Sequence, residues 1–142
     1  MSRVPTAILL GVFVLTLLVG CGQGDGKHNA ISGQVTLDGK PLEQGSILFT
    51  MIDGSNRTAA GGAIEKGRYQ LTSTNGPGLG SNRVEIHALR KTGRTVPKPF
   101  PANHEMIEEQ VEAIPLRFNS QSTLTFEVKP GDNTADFEVT SK

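Results

Sequence analysis

Only one cysteine occurs in the chain, Cys21, so no disulfide can form within it. Tryptophan is absent and tyrosine occurs once, at Tyr69, so any core must rest mainly on aliphatic residues and six phenylalanines. Neither sign of charge dominates: 14 Lys and Arg stand against 14 Asp and Glu. That removes the basic field on which nucleic-acid binding depends, and no nucleic-acid partner is expected. The three histidines, His28, His87 and His104, share no His-Xaa3-His or similar ligand spacing. No Gly-Xaa-Ser-Xaa-Gly turn and no phosphate loop ending in Lys-Ser or Lys-Thr is present. No cofactor and no catalytic residues are therefore expected.

A membrane-spanning run is missing too. Residues 7–19, AILLGVFVLTLLV, are apolar for 13 positions, whereas a spanning helix needs about 20. The run follows Arg3 near the chain start, which is the layout of a secretory signal. It ends on Leu18, Val19, Gly20 and Cys21. These four residues match the lipobox of bacterial lipoproteins: an aliphatic residue, a small or β-branched one, Gly or Ala, then the cysteine. The thiol would sit at the membrane surface, where it can accept a diacylglyceryl group, and Gly20 gives the peptidase a small residue before the cut. Residues 1–20 are thus expected to be a cleaved signal helix and Cys21 the lipidated first residue. The bilayer is then a partner through acylated Cys21, and two or three acyl chains would anchor it stably. Residues 21–29, rich in glycine and without apolar periodicity, read as a flexible tether. The expected location is the cell membrane or outer membrane, on the extracytoplasmic side.

From residue 30 onwards the pattern has period two, the mark of half-buried strands. Ile31, Gly33, Val35 and Leu37 share one face; Asp38-Gly39 then gives a two-residue hairpin turn. GSILFTMI is a nearly continuous apolar strand, and two short strands flank Lys66-Gly67, with Tyr69 and Leu71 inward. In NRVEIHAL, Val84, Ile86 and Ala88 point in while Arg83, Glu85 and His87 point out. STLTFEV and TADFEV around PGDN read as a closing hairpin. The spacing predicts seven strands, at 30–37, 45–52, 58–65, 68–74, 82–90, 122–129 and 134–140. Seven short antiparallel strands indicate an all-β domain, a β-sandwich of the immunoglobulin-like kind spanning 30–142.

The segment 91–121 interrupts this pattern as one long connection, and long connections often carry function. Three prolines open it, and HEMIEEQVEAIP could form a short helix capped by Asn103 and stopped by Pro115, or an ordered loop across a sheet edge. On a helix, Glu105, Glu108, Glu109 and Glu112 would line one side. With His104 they are the candidate binding surface, for a cation or a cationic partner.

ISGQVTLDGKPLEQGSILFT resembles the opening of the carboxypeptidase-regulatory-like, transthyretin-like domain, and AIEKGRYQL resembles its Gly-Xaa-Tyr/Phe-Xaa-Leu hairpin. IPLRFNSQSTLTFEVKPGDNTADFEV is similar to the ending of small bacterial lipoproteins of this type, abundant in planctomycetes. The matching positions there are Pro115, Arg117, Phe118, Asn119, Ser122, Thr123, Leu124, Gly131, Asn133 and Phe137. Asn82-Arg83 replaces the aromatic that usually precedes the strand at 84–89. The resemblance implies a seven-stranded sandwich without catalytic residues. The expected function is a membrane-anchored, non-catalytic binding or structural module of the cell envelope, with an envelope protein or glycan as partner. The alternative is a small envelope hydrolase or metal-dependent enzyme using the 91–121 segment.

Overall fold

The computed structural model describes residues 29–52, 58–100 and 105–142. The signal segment, Cys21, residues 22–28 of the tether and His104 lie outside them. Within them the chain is all-β. In order it forms β1 (Ile31–Leu37), β2 (Lys40–Pro41), β3 (Gln44–Met51), β4 (Ala59–Glu65), β5 (Arg68–Leu71), β6 (Gly80–His87), β7 (Leu89–Pro97) and β8 (Met106–Glu112). A 3-10 turn at Leu116–Phe118 leads to β9 (Thr125–Val128), β10 (Asn133–Thr134) and β11 (Phe137–Val139). Each of the seven expected strands has a counterpart here. Asp38 and Gly39 have φ of 51° and 76°, and Lys66 and Gly67 repeat this with 50° and 75°. Positive φ at both central residues gives these turns the twist that the flanking strands require.

The main sheet runs β10-β1-β5-β4-β3-β6-β9, with β11 continuing β10 along β1 and β2 added to the end of β1. Its pairings are antiparallel except for the two along one edge of β1. β10 and β11 lie parallel to β1, with Ile31 opposite Asn133 and Val35 opposite Phe137. This corrects the closing hairpin expected from STLTFEV-KPGDN-TADFEV. β9 instead pairs with β6, with Ser81 opposite Glu127, at the far edge of the sheet.

That topology bends the sheet. β9 and β10 are the two ends of a seven-strand path, yet only residues 129–132 separate them. Five Cα–Cα steps reach at most about 18 Å. Six strand spacings in a flat sheet would need about 29 Å. The sheet therefore curls until its edges come near each other. Asn133 fastens the joint: its Oδ1 accepts the Lys129 N–H (2.9 Å), and its Nδ2 donates to the carbonyls of Lys129 (2.9 Å) and Ala30 (3.2 Å). β4 and β5 share a single paired position, Glu65 with Arg68, so they splay from their turn.

The curl encloses Ile31, Val35, Ile47, Phe49, Ile64, Val84, Ile86 and Val139, each at most 1% exposed. The rings of Phe49, Tyr69 and Phe137 meet there at centroid distances of 6.0–6.3 Å. Between β10 and β11 the ladder to β1 is interrupted, and side chains supply the missing bonds. Asp136 Oδ1 accepts the Gln34 N–H (2.7 Å), and the Tyr69 hydroxyl donates to the Ala135 carbonyl (2.7 Å).

Residues 91–97 and 106–112 are strands rather than a helix or an irregular loop. β7 and β8 form a separate two-stranded antiparallel sheet, an arm, with Leu89 opposite Glu112 and Val96 opposite Ile107. Pro97 closes the ladder opposite Met106, at the end of the strand where a proline is tolerated. A bulge lies between Lys91 and Thr95, with Gly93 at φ 77°. The spacing of Ile107 and Val111 suits a helix and a strand alike. The facing strand, with Thr92, Thr95 and Val96, decides for the strand.

The arm and the start of the described chain lie at opposite ends. Asn29, the last residue assigned to the tether, is buried and donates its N–H to the Pro77 carbonyl (3.1 Å). β6 leaves that end at Gly80 and runs about 26 Å to His87, beside the arm. The Asp38-Gly39 and Lys66-Gly67 turns share the arm end, where Leu37, Lys66, Ala88, Leu89 and Ala113 line one depression.

Candidate functional site

The chain leaves β6 at Ala88, which is 5% exposed and fixed by β8. Its N–H donates to Glu112 Oε1 (2.9 Å), and its carbonyl accepts the Ala113 N–H (2.7 Å). The same Oε1 accepts the Ile114 N–H (3.1 Å). Glu112 Oε2 lies 3.1 Å from His87 Nδ1, and His87 Nε2 lies 3.7 Å from Glu85 Oε2. The other Glu85 oxygen holds Arg83. Arg83, Glu85 and His87 are alternate residues on the outer face of β6, so the strand period itself makes this row. Glu112 joins it from β8. Burial works to raise the Glu112 pKa, but the Ala88 and Ile114 N–H groups and His87 outweigh it and hold the carboxyl below its usual range. The cluster is a clamp: one carboxylate ties the arm's last strand to the strand before the arm.

The remaining candidate glutamates do not form one acidic face. Strand geometry alternates them, and each meets a cation across the hairpin. Glu108 pairs with Lys91 (2.7 Å) and Glu105 with Lys98 (2.8 Å). Glu109 takes Arg94 Nε (2.9 Å) and Nη2 (2.8 Å) and the Thr92 hydroxyl (2.6 Å). The Thr92 bond and then Arg94 lower the Glu109 pKa, and the bond to Glu108 raises that of Lys91. The surface expected for a cation is thus a ladder of ion pairs. Among the described residues no three His, Cys, Asp or Glu side chains are grouped to hold a metal ion.

A shallow groove beside the clamp is lined by Gln44, Gly45, Ser46, His87, Lys91 and Glu112. Ser46 stands opposite His87 in the β3–β6 register. No hydrogen bond joins the two among the described residues, and His87 Nε2 faces Glu85 instead. Sequence reasoning set His87 and Glu85 aside as outward strand residues. The signal that could have found them is the Arg-Xaa-Glu-Xaa-His spacing of 83–87, which puts alternating charge on one strand face.

Apolar side chains stand exposed on the arm as well: Phe100 is 87% and Met106 55% exposed, at the end away from the clamp. The candidate lipidation residues Leu18, Val19, Gly20 and Cys21 lie outside the described residues, as does His104. No described helix is long and apolar enough to cross a membrane.

No family model matches the chain, and no curated protein matches it. Among solved structures, a DUF3823 family protein from Parabacteroides merdae aligns with 19% identity over 81% of this chain and 47% of that one, at a TM-score of 0.39. A 9R-lipoxygenase from Cyanothece aligns with 14% identity over 98% of this chain and 18% of that one, at a TM-score of 0.35. This chain therefore spans about half the length of the first and about a fifth of the second.

Proposed function

We propose that this protein is a membrane-anchored, non-catalytic lipoprotein of the cell envelope that holds its β7–β8 arm away from the bilayer for a protein or glycan partner. The observation that carries this reading is the placement of the arm. It leaves the sheet at the end opposite Asn29, and Asn29 is joined to Cys21 by only seven residues. Acylation of Cys21 would hold the Asn29 end near the membrane and turn the arm outward. Both long edges of the arm are without a sheet neighbour among the described residues. Free edges of this kind accept an added strand, and exposed Phe100 and Met106 add apolar contact. The finer fold we infer is the transthyretin-like sandwich. The splayed β4–β5 turn supports it, since it divides the strand path into β9-β6-β3-β4 and β5-β1-β10.

The test uses full-length, lipidated protein in solubilised envelope. Wild-type protein is expected to retain a partner in a pull-down. A variant with residues 91–110 replaced by an Asn-Gly turn, which keeps the Glu112 clamp, is expected to lose it. Equal retention by both, or no retained partner, would overturn the arm's role. The anchor has a separate readout: Cys21→Ala should remain uncleaved and take up no palmitate in metabolic labelling.

A further inference from the structure

The end of the sheet where the chain enters is unlike the arm end in charge. Residues 72–81, TSTNGPGLGS, lie at this end and contain no charged side chain. Ile52 and Leu79 stand 47% and 38% exposed there. They are neighbours in the fold, because the Ile52 N–H donates to the carbonyl of Ser81 (2.9 Å). Arg83 lines a hollow with Ile52 and is held by Glu85, and Lys129 and Asp132 stand on the β9–β10 turn. The arm end, by contrast, exposes Asp38, Lys40, Glu43, Glu65, Lys66 and Arg90.

The point where the chain enters is also held firmly. Asn29 donates to the Pro77 carbonyl from its backbone, and its Oδ1 accepts the Gly131 N–H (3.2 Å). A Cβ on Gly76 would overlap the Asn29 carbonyl, so only glycine lets the 72–81 loop close over it. From Cys21 to Asn29 is eight residues. Eight Cα–Cα steps reach at most about 28 Å. A lipid on Cys21 would therefore keep this end within about 28 Å of the bilayer.

We propose that the face around Ile52 and Leu79 docks on the bilayer surface, its two side chains entering the boundary between headgroups and acyl chains. This rests on the lipid-anchor reading and adds an orientation to it: the tether is short enough, and the face apolar enough, for the domain to stand on the membrane rather than swing above it. Side chains of this size gain from leaving water at the interface. Residues 72–81 bring no fixed charge to that contact, so they escape the desolvation cost that the charged arm end would meet.

Because the chain has no tryptophan, a single introduced one reports its own surroundings. Leu79→Trp and, as a second reporter in case the first fails to fold, Ile52→Trp are made in the full-length protein. Leu89→Trp, 64% exposed at the arm end, is the control. Each is purified with its lipid and placed in vesicles containing brominated phosphatidylcholine. The expected result is at least a twofold loss of fluorescence for Leu79→Trp or Ile52→Trp and none for Leu89→Trp. Equal quenching at both ends, or none at either, in protein whose intact mass includes the acyl chains would overturn the docking and leave the anchor standing. Concentration-dependent change without bromolipid quenching would assign the face to a second copy of the chain and overturn the proposal. An intact mass without acyl chains would overturn the anchor and the docking with it.

Discussion

At the scale of single residues, Tyr69 carries a bond that the backbone leaves unmade. β10 and β11 break their ladder with β1, and the phenol fills the gap by donating to Ala135. Tyr69→Phe removes that donor inside the core and should cost about 1–3 kcal/mol, read as a lower urea midpoint with an unchanged slope. Burial first, and the charge of Asp136 second, push the Tyr69 pKa above its ordinary 10.0. The folded state therefore keeps the proton that the unfolded state gives up above about pH 10. Stability from this group is complete below that value and falls as pH rises beyond it. Wild-type protein should lose stability in that window, and Tyr69→Phe should lack this part of the loss. An identical alkaline profile for the two would contradict the assignment.

Among the elements, the arm separates most clearly from what surrounds it. A two-stranded sheet is marginal on its own, and this one depends on the Glu112 clamp at its base and on cross-strand ion pairs along its length. Glu112→Gln keeps the shape and one acceptor oxygen but loses the charge opposite His87. The expected outcome is faster amide exchange across 89–112 with unchanged protection in β1, β3 and β6; unchanged exchange in the arm would sink the clamp. Acid should act in the same direction. The lowered Glu112 pKa means its contribution is present above the ordinary carboxylate value of 4.5 and is lost as pH falls through the folded value below it. The segment 103–115, open to a helix or an ordered loop from its sequence, illustrates what a short segment leaves undecided. Ile107 and Val111, four apart, share a face in either conformation, and Ile114, seven on from Ile107, lies beyond the strand and is buried in the core. The glutamates' partners Lys91, Arg94 and Lys98 lie across a hairpin that residues 105–112 do not encode alone.

For the whole molecule, the decisive joint is the turn between β9 and β10. Four residues draw together the two edges of the main sheet, and Asn133 makes three of the bonds that hold them. Asn133→Ala should lower stability by about 1–2 kcal/mol in urea unfolding, with loss of exchange protection at both β9 and β10. Protection lost at β10 alone would mean that the turn does not couple the edges. Strands, turns and their inward faces were readable beforehand because each depends on side chains one to four positions apart: Ile31 with Val35, Asp38 with Gly39, Tyr69 with Leu71. The lipid anchor proposed at Cys21 likewise rests on four consecutive residues, Leu18 to Cys21. The pairing of β1 with β10 and β11, the splay of β4 from β5, the arm and its clamp were settled only in three dimensions. Those features depend on which backbone edges meet after the core closes, between residues as far apart as Gln34 and Asp136, and no local period records that choice.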